Sequence, residues 1–248
     1  ALDAQSGKHV ALKTLLPSLA GDPQLVARLA REAEVCSVLS SDHTVALHHA
    51  GQLAVGRRTV PFLVFELVPG LPIGDLVDAR GALTLPEAVH VVVSLLSSLA
   101  EAHAIGILHR DVKPNNLLAE APEAARRPPT DTGDQAARLG IPPLTDPLWQ
   151  DLTPLKVRVV DFGLAKVLEV GDRRVKSLTR TGQAAGTVQY MSPEQIRPDR
   201  SAPMDHRADL YAAAMLLFRL LTGEPPFQGN TLAEVAMQHL TADLPPLP

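Results

Sequence analysis

The strongest constraint on this chain is one octapeptide, His109-Arg110-Asp111-Val112-Lys113-Pro114-Asn115-Asn116. Its pattern, His-Arg-Asp followed by Asn five positions after the Asp, is too specific to arise by chance. Three weaker signals accompany it in a fixed order. Val10-Ala11-Leu12-Lys13 reads as a strand ending in a cation, Glu32 sits in an amphipathic helix, and Asp161-Phe162-Gly163 follows the octapeptide. Taken singly, they are most simply a solvated strand edge, a solvated helix face and a turn. Taken together, in this order, they leave little room for coincidence.

Length and composition allow such a fold. A chain of 248 residues makes one large domain or two lobes. A hydrophobic share of 46% excludes wholesale disorder. A net charge of −4 argues against a nucleic-acid-coating protein, so no nucleic-acid partner is expected. The single cysteine, Cys36, excludes an intramolecular disulfide and a multi-thiolate zinc site. His43, His48 and His49 have no acidic or thiol partner at ligand spacing. No signal peptide is visible. The longest uncharged apolar stretch, Ala88 to Ala100, falls short of the roughly 20 residues needed to cross a bilayer, so no membrane segment is expected.

Along the chain, 9–16 reads as a strand and 28–39 as a helix with Leu29, Ala33, Val35 and Cys36 on one side. Residues 45–55 and 59–68 read as two more strands. Pro86 opens a helix to about His103, with an apolar face predicted through Val89, Val92, Val93, Leu96 and Leu99. Residues 119–155 hold most of the clustered prolines and no period, and read as a largely disordered surface insert pinned at most by Trp149. A short strand, 157–160, and a buried helix, 209–221, follow. The expected architecture is α+β and two-lobed: a sheet-rich unit over 1–68 and a mainly helical unit over 69–248.

The motifs resemble the protein-kinase superfamily, and the eukaryotic-like (Hanks-type) bacterial Ser/Thr kinases most closely. Gly186-Thr187-Val188-Gln189-Tyr190-Met191-Ser192-Pro193-Glu194 looks like the segment that ends in Ala-Pro-Glu, with Ser for Ala. Asp209-Leu210-Tyr211 and Leu221-Thr222-Gly223-Glu224-Pro225-Pro226-Phe227 are similar to the helix start and loop beyond it. The resemblance implies ATP and Mg²⁺ as cofactors. Lys13 would hold the α and β phosphates, with Glu32 aiming it. Asp161 and Asn116 would bind Mg²⁺, and Asp111 would accept the proton of the attacking hydroxyl. Lys113 and Thr187 would favour serine and threonine hydroxyls of protein substrates. Adenine would lie between Ala11 and Leu118, its edge meeting the backbone at Glu66 and Val68, with Phe65 closing the back of the pocket. Arg110 implies control by a phosphorylated activation loop, with Thr179 and Thr181 as the sites and self-association for transfer in trans. Cys36 is expected to pack beside Phe162, and His109 to pack behind the catalytic loop.

The match has gaps. No Gly-rich phosphate loop precedes Val10, and the last helices of the family's lower lobe have no counterpart, so the piece is expected to be truncated at both ends, with weak ATP affinity. A cytoplasmic location is expected, compatible with a membrane anchor in a longer protein. Two other readings compete. A pseudokinase scaffold is disfavoured because all five site residues are present. A small-molecule phosphotransferase shares the octapeptide pattern but not the Thr187 and Ser192-Pro193-Glu194 platform.

Overall fold

A computed structural model describes residues 1–56, 58–127, 135–162, 188–199 and 204–247. Strands β1 (Val10–Thr14), β2 (Leu47–Val55) and β3 (Arg58–Glu66) form an antiparallel sheet in the order β1-β3-β2. Their register sets Lys13 opposite Leu63 and Ala11 opposite Phe65. Helix α1 (Pro23–Cys36) packs against this sheet. Its start is fixed by Asp22, whose carboxylate accepts from Gln24 N at 2.8 Å, and by Pro23, which has no N–H to lose in the first turn. Leu29, Glu32, Val35 and Cys36 form its buried face. A carboxylate on that face needs a partner, because an unpaired buried charge is costly.

The second unit begins with β4 (Gly70–Pro72), which joins β5 (Leu117–Glu120) and β6 (Lys156–Val159) in a small antiparallel sheet. The helices are α2 (Ile73–Arg80), α3 (Leu85–Ala104), α4 (Gln135–Arg138), α5 (Pro193–Ile196), α6 (Arg207–Thr222) and α7 (Leu232–Thr241). Short 3₁₀ turns lie at Pro114–Asn116, Glu123–Ala125 and Pro147–Gln150. Helix α6 stops at Gly223, whose φ of 82° suits a residue without a Cβ. The expected α+β, two-lobed plan is what the chain adopts.

Two expectations are corrected. Helix α3 buries Ala88, Val91, Leu95, Leu99 and Ala102, while Val89, Val93 and Leu96 are exposed. Only Leu99 of the predicted face is buried, with Val92 partly so. The helix is apolar around most of its circumference, so apolarity leaves its phase open. The inward face interleaves the small residues Ala88, Ser94, Ser98 and Ala102 with Val91, Leu95 and Leu99, and α3 packs against α6. At 20 residues it is also long and apolar enough to cross a membrane by length and composition, although its inward face is part of the core.

The insert is the second correction. Trp149, Leu152 and Leu155 are buried in the main core with Ile141, and Trp149 is fully buried. Its indole N–H donates to Pro142 O and Pro143 O at 3.3 and 3.1 Å. Glu87, buried at the start of α3, accepts from Leu152 N at 3.2 Å and from Arg80 at 2.8 Å. Arg80 also donates to Gln150 O at 3.0 Å. The prolines suppress helix and strand periodicity without preventing burial, because the segment satisfies its backbone through turns and side chains.

Candidate active site

The side chain of Lys13 leaves β1 toward α1 and the end of β6. Its Nζ lies 2.6 Å from Glu32 Oε1 and 2.6 Å from Asp161 Oδ1. Burial alone would push the amine's pKa down; the adjoining carboxylates of Asp161 and Glu32 outweigh it and hold it above its ordinary value. Glu32 is 3% exposed, so its orientation is set by packing as well as by charge.

The octapeptide forms the loop between α3 and β5. Lys113 Nζ donates to Asp111 Oδ2 at 3.0 Å. Asn116 Nδ2 donates to Asp111 O at 2.8 Å and to Asp111 Oδ2 at 3.3 Å. These bonds use the amide nitrogen of Asn116 and direct its oxygen elsewhere. The β5–β6 register, Leu117 opposite Val159, brings Asn116 beside the residues before Asp161, and Val160 N donates to Asn116 O at 2.9 Å. An amide oxygen and a carboxylate thus stand on adjoining strand ends. Hard oxygen donors of this kind would suit Mg²⁺.

Among the described residues, only Arg110 (φ 62°) and Asp161 (φ 55°) are non-glycine residues at positive φ. Asp209, buried at the start of α6, stabilises the first. Its carboxylate accepts from His109 N at 2.8 Å, Arg110 N at 2.7 Å and His103 Nε2 at 2.8 Å. Gln195 Nε2 donates to Arg110 O at 3.1 Å. The ring of His109 lies 4.6 Å from that of Phe162, centroid to centroid. Complete burial lowers the His109 pKa against the pull of Asp209 and Asp111, so the imidazole is neutral. It is a packing group, as the sequence predicts.

A cavity of about 350 Å³ adjoins these groups. Ala11, Lys13, Phe65, Glu66, Val68, Leu118, Asp161 and Phe162 line it, together with Cys36 and Thr44. Of the predicted site residues, Lys13, Glu32 and Asp161 form one bonded set and Asp111, Lys113 and Asn116 another; the backbone bond from Val160 N to Asn116 O links the second set to the residue before Asp161, and Ala11, Glu66, Val68 and Leu118 line the cavity. Thr187, Gly163, Thr179 and Thr181 lie outside the described residues. Cys36 lines the same cavity as Phe162, and burial pushes its thiol pKa up to about 12.

Sequence reasoning noted Asp209 only as a helix start, and missed Arg158 and Glu101. Glu101, on α3, accepts from Ser40 N at 2.7 Å and Ser41 N at 2.8 Å, holding the loop after α1 to the larger unit. Arg158 had one available signal: a guanidinium in the middle of the apolar run Val157 to Val160.

The protein kinase domain family model matches residues 1–244. The serine/threonine-protein kinase PknB of Mycobacterium tuberculosis H37Rv is 33% identical over 247 residues, covering 99% of this chain and 33% of the relative. The probable PknB of Corynebacterium glutamicum is 33% identical over 246 residues, with 99% and 32% covered. Pkn3 of Myxococcus xanthus is 34% identical over 239 residues, with 96% and 37% covered. The chain spans about a third of the length of these curated relatives.

Proposed function

Because the chain belongs to the protein kinase family, we propose that it transfers the γ-phosphoryl group of ATP to serine or threonine hydroxyls of proteins, as the names of its relatives indicate for them. The observation that carries this reading is the convergence of Lys13, Glu32 and Asp161 within hydrogen-bond distance, beside the bonded set Asp111, Lys113 and Asn116. Phosphoryl transfer has a loose transition state, so positioning and charge neutralisation carry most of the catalysis.

In this reading Lys13 neutralises phosphate charge, and Glu32 keeps its amine from collapsing onto Asp161 alone. Asn116 Oδ1 and the Asp161 carboxylate would hold Mg²⁺, which would supply charge neutralisation for the phosphates. Asp111 accepts the hydroxyl proton at a carboxylate oxygen, and Lys113 is placed to meet the transferred group. Ala11 and Leu118 sandwich the base, and Glu66 and Val68 offer it backbone groups. Phe65 in the cavity wall disfavours inhibitors that need an opening behind it. Thr187 would steady Asp111 and Lys113. Phosphorylation at Thr179 and Thr181, in trans between two copies, would engage Arg110. A cytoplasmic site of action belongs to the same proposal.

The test is transfer of labelled phosphate from ATP to a generic protein substrate, alongside Lys13→Met and Asp161→Ala. Transfer by the wild type well above both variants supports the assignment. Equal label in all three, with nucleotide still bound, would instead favour a pseudokinase scaffold. Site mapping after incubation with Mg-ATP tests the two threonines; an active protein bearing phosphate on neither rejects that part.

A further inference from the structure

We propose that Arg158 is a positioning residue for the nucleotide, and that it connects the insert to the segment that meets adenine. This rests on the nucleotide-binding reading above. Arg158 lies in β6 between the buried Val157 and Val159, and its side chain is 7% exposed. A guanidinium there is tolerable only if its charge is paired, since burying an unpaired one is costly.

The pairing is a fork that joins separate parts of the fold. Nη1 donates to Glu66 Oε1 at 3.3 Å and to Glu120 Oε2 at 3.4 Å. Nη2 donates to Glu66 Oε2 and, at 3.1 Å, to Thr44 O. Glu66 ends β3 and lines the cavity with its neighbours Phe65, Leu67 and Val68. Thr44 lies in the loop between α1 and β2, and its hydroxyl bonds Ser98 at 2.7 Å. One buried cation therefore fixes the strand end beside the base, the loop that carries α1, and the strand pair beneath the cavity.

The other oxygen of Glu120 extends the fork outward. Oε1 accepts from Arg126 Nη2 at 3.4 Å, and Arg126 Nε donates to Ala121 O at 3.1 Å. Arg126, Glu120, Arg158 and Glu66 thus form a run of alternating charge from the insert to the cavity edge. None of the hydrogen bonds of Arg158 goes to Lys13, Asp111 or Asp161. Its influence falls on how the base is received, not on the transfer step.

Affinity for a fluorescent Mg-ADP analogue tests this, with melting temperature and kcat measured beside it. Arg158→Met should weaken binding about tenfold, with kcat at saturating ATP within about twofold of wild type. Arg158→Lys should recover part of the loss, since a point charge replaces two legs of a fork. Arg126→Ala should weaken binding about two- to threefold, and add nothing in the Arg158→Met background. Unchanged affinity in Arg158→Met, a parallel fall of affinity and kcat, or a fully additive Arg126→Ala effect overturns the proposal. If Arg158→Met does not fold, Arg126→Ala and Glu120→Gln decide it, and wild-type affinity in both rejects it. A wild type that binds no nucleotide removes the kinase reading itself, whereas a wild type and variants that bind alike remove only this inference.

Discussion

Lys13 Nζ stands 2.6 Å from Glu32 Oε1, a bond that joins a strand to a helix and closes a span of 19 residues. It exists only if α1 lies against the sheet with its buried face inward, so it reports the position of the helix as well as the charge of the lysine. Lys13→Met should lower phosphate transfer by roughly a hundredfold or more, the scale for loss of one preorganised electrostatic contact. Glu32→Gln should lower it as well while leaving the fold intact. Steady-state transfer assays check both; a Glu32→Gln variant with wild-type kcat would contradict the role given to the pair.

Asp209 accepts the backbone N–H groups of His109 and of Arg110 itself, the residue at positive φ. Removing it leaves those donors buried without their acceptor. Asp209→Ala should cost about 3–5 kcal/mol of unfolding free energy, as for a broken buried network, and abolish transfer. Asp209→Asn, which keeps one acceptor, should cost less. Urea denaturation of the three proteins orders them.

Trp149 is fully buried within the insert. Trp149→Ala should destabilise the protein by about 3–5 kcal/mol, the usual cost of truncating a large core side chain. A change of under roughly 0.5 kcal/mol, typical of surface sites, would restore the view of the insert as decoration.

His239 is buried against Tyr211 and Phe227, and burial lowers its pKa from 6.5 to about 4. The unfolded chain binds this proton near pH 6.5 and the native chain only near pH 4. The native state is therefore fully favoured above pH 6.5, and this contribution is lost as pH falls toward 4. His239→Gln should flatten the stability profile in that window. Parallel profiles for wild type and variant would show that other groups govern it.

Cys36 should resist alkylation. With a thiol pKa of about 12, its thiolate share at pH 8 is on the order of one part in ten thousand. Iodoacetamide should label the native protein far more slowly than the urea-unfolded chain, measured by intact mass. Equal rates would place the thiol in solvent.

The chemistry was legible in the sequence because it depends on residue identity at fixed local spacing. The octapeptide, the Lys13 strand and Asp161-Phe162 each carry their meaning within a few positions. Glu32 taken alone reads as part of a solvated helix face, and only the resemblance singled it out; its inward placement one turn from Cys36 belongs to the folded helix.

What only the tertiary structure decided depends on which neighbour is reached. The apolar circumference of α3 admits several phases, and the one adopted turns Ala88, Val91, Leu95, Leu99 and Ala102 into the core, where α3 packs against α6. Proline clusters in 119–155 erase periodicity, and burial of Trp149, Leu152 and Leu155 against α2 and α3 is a property of the assembled core. Arg158 is one charge in an apolar run until Glu66, Glu120 and Thr44 arrive from sequence positions 92, 38 and 114 residues away. Local pattern encodes the reacting groups; long-range packing and buried charge pairing, which no window of sequence contains, set how they are held.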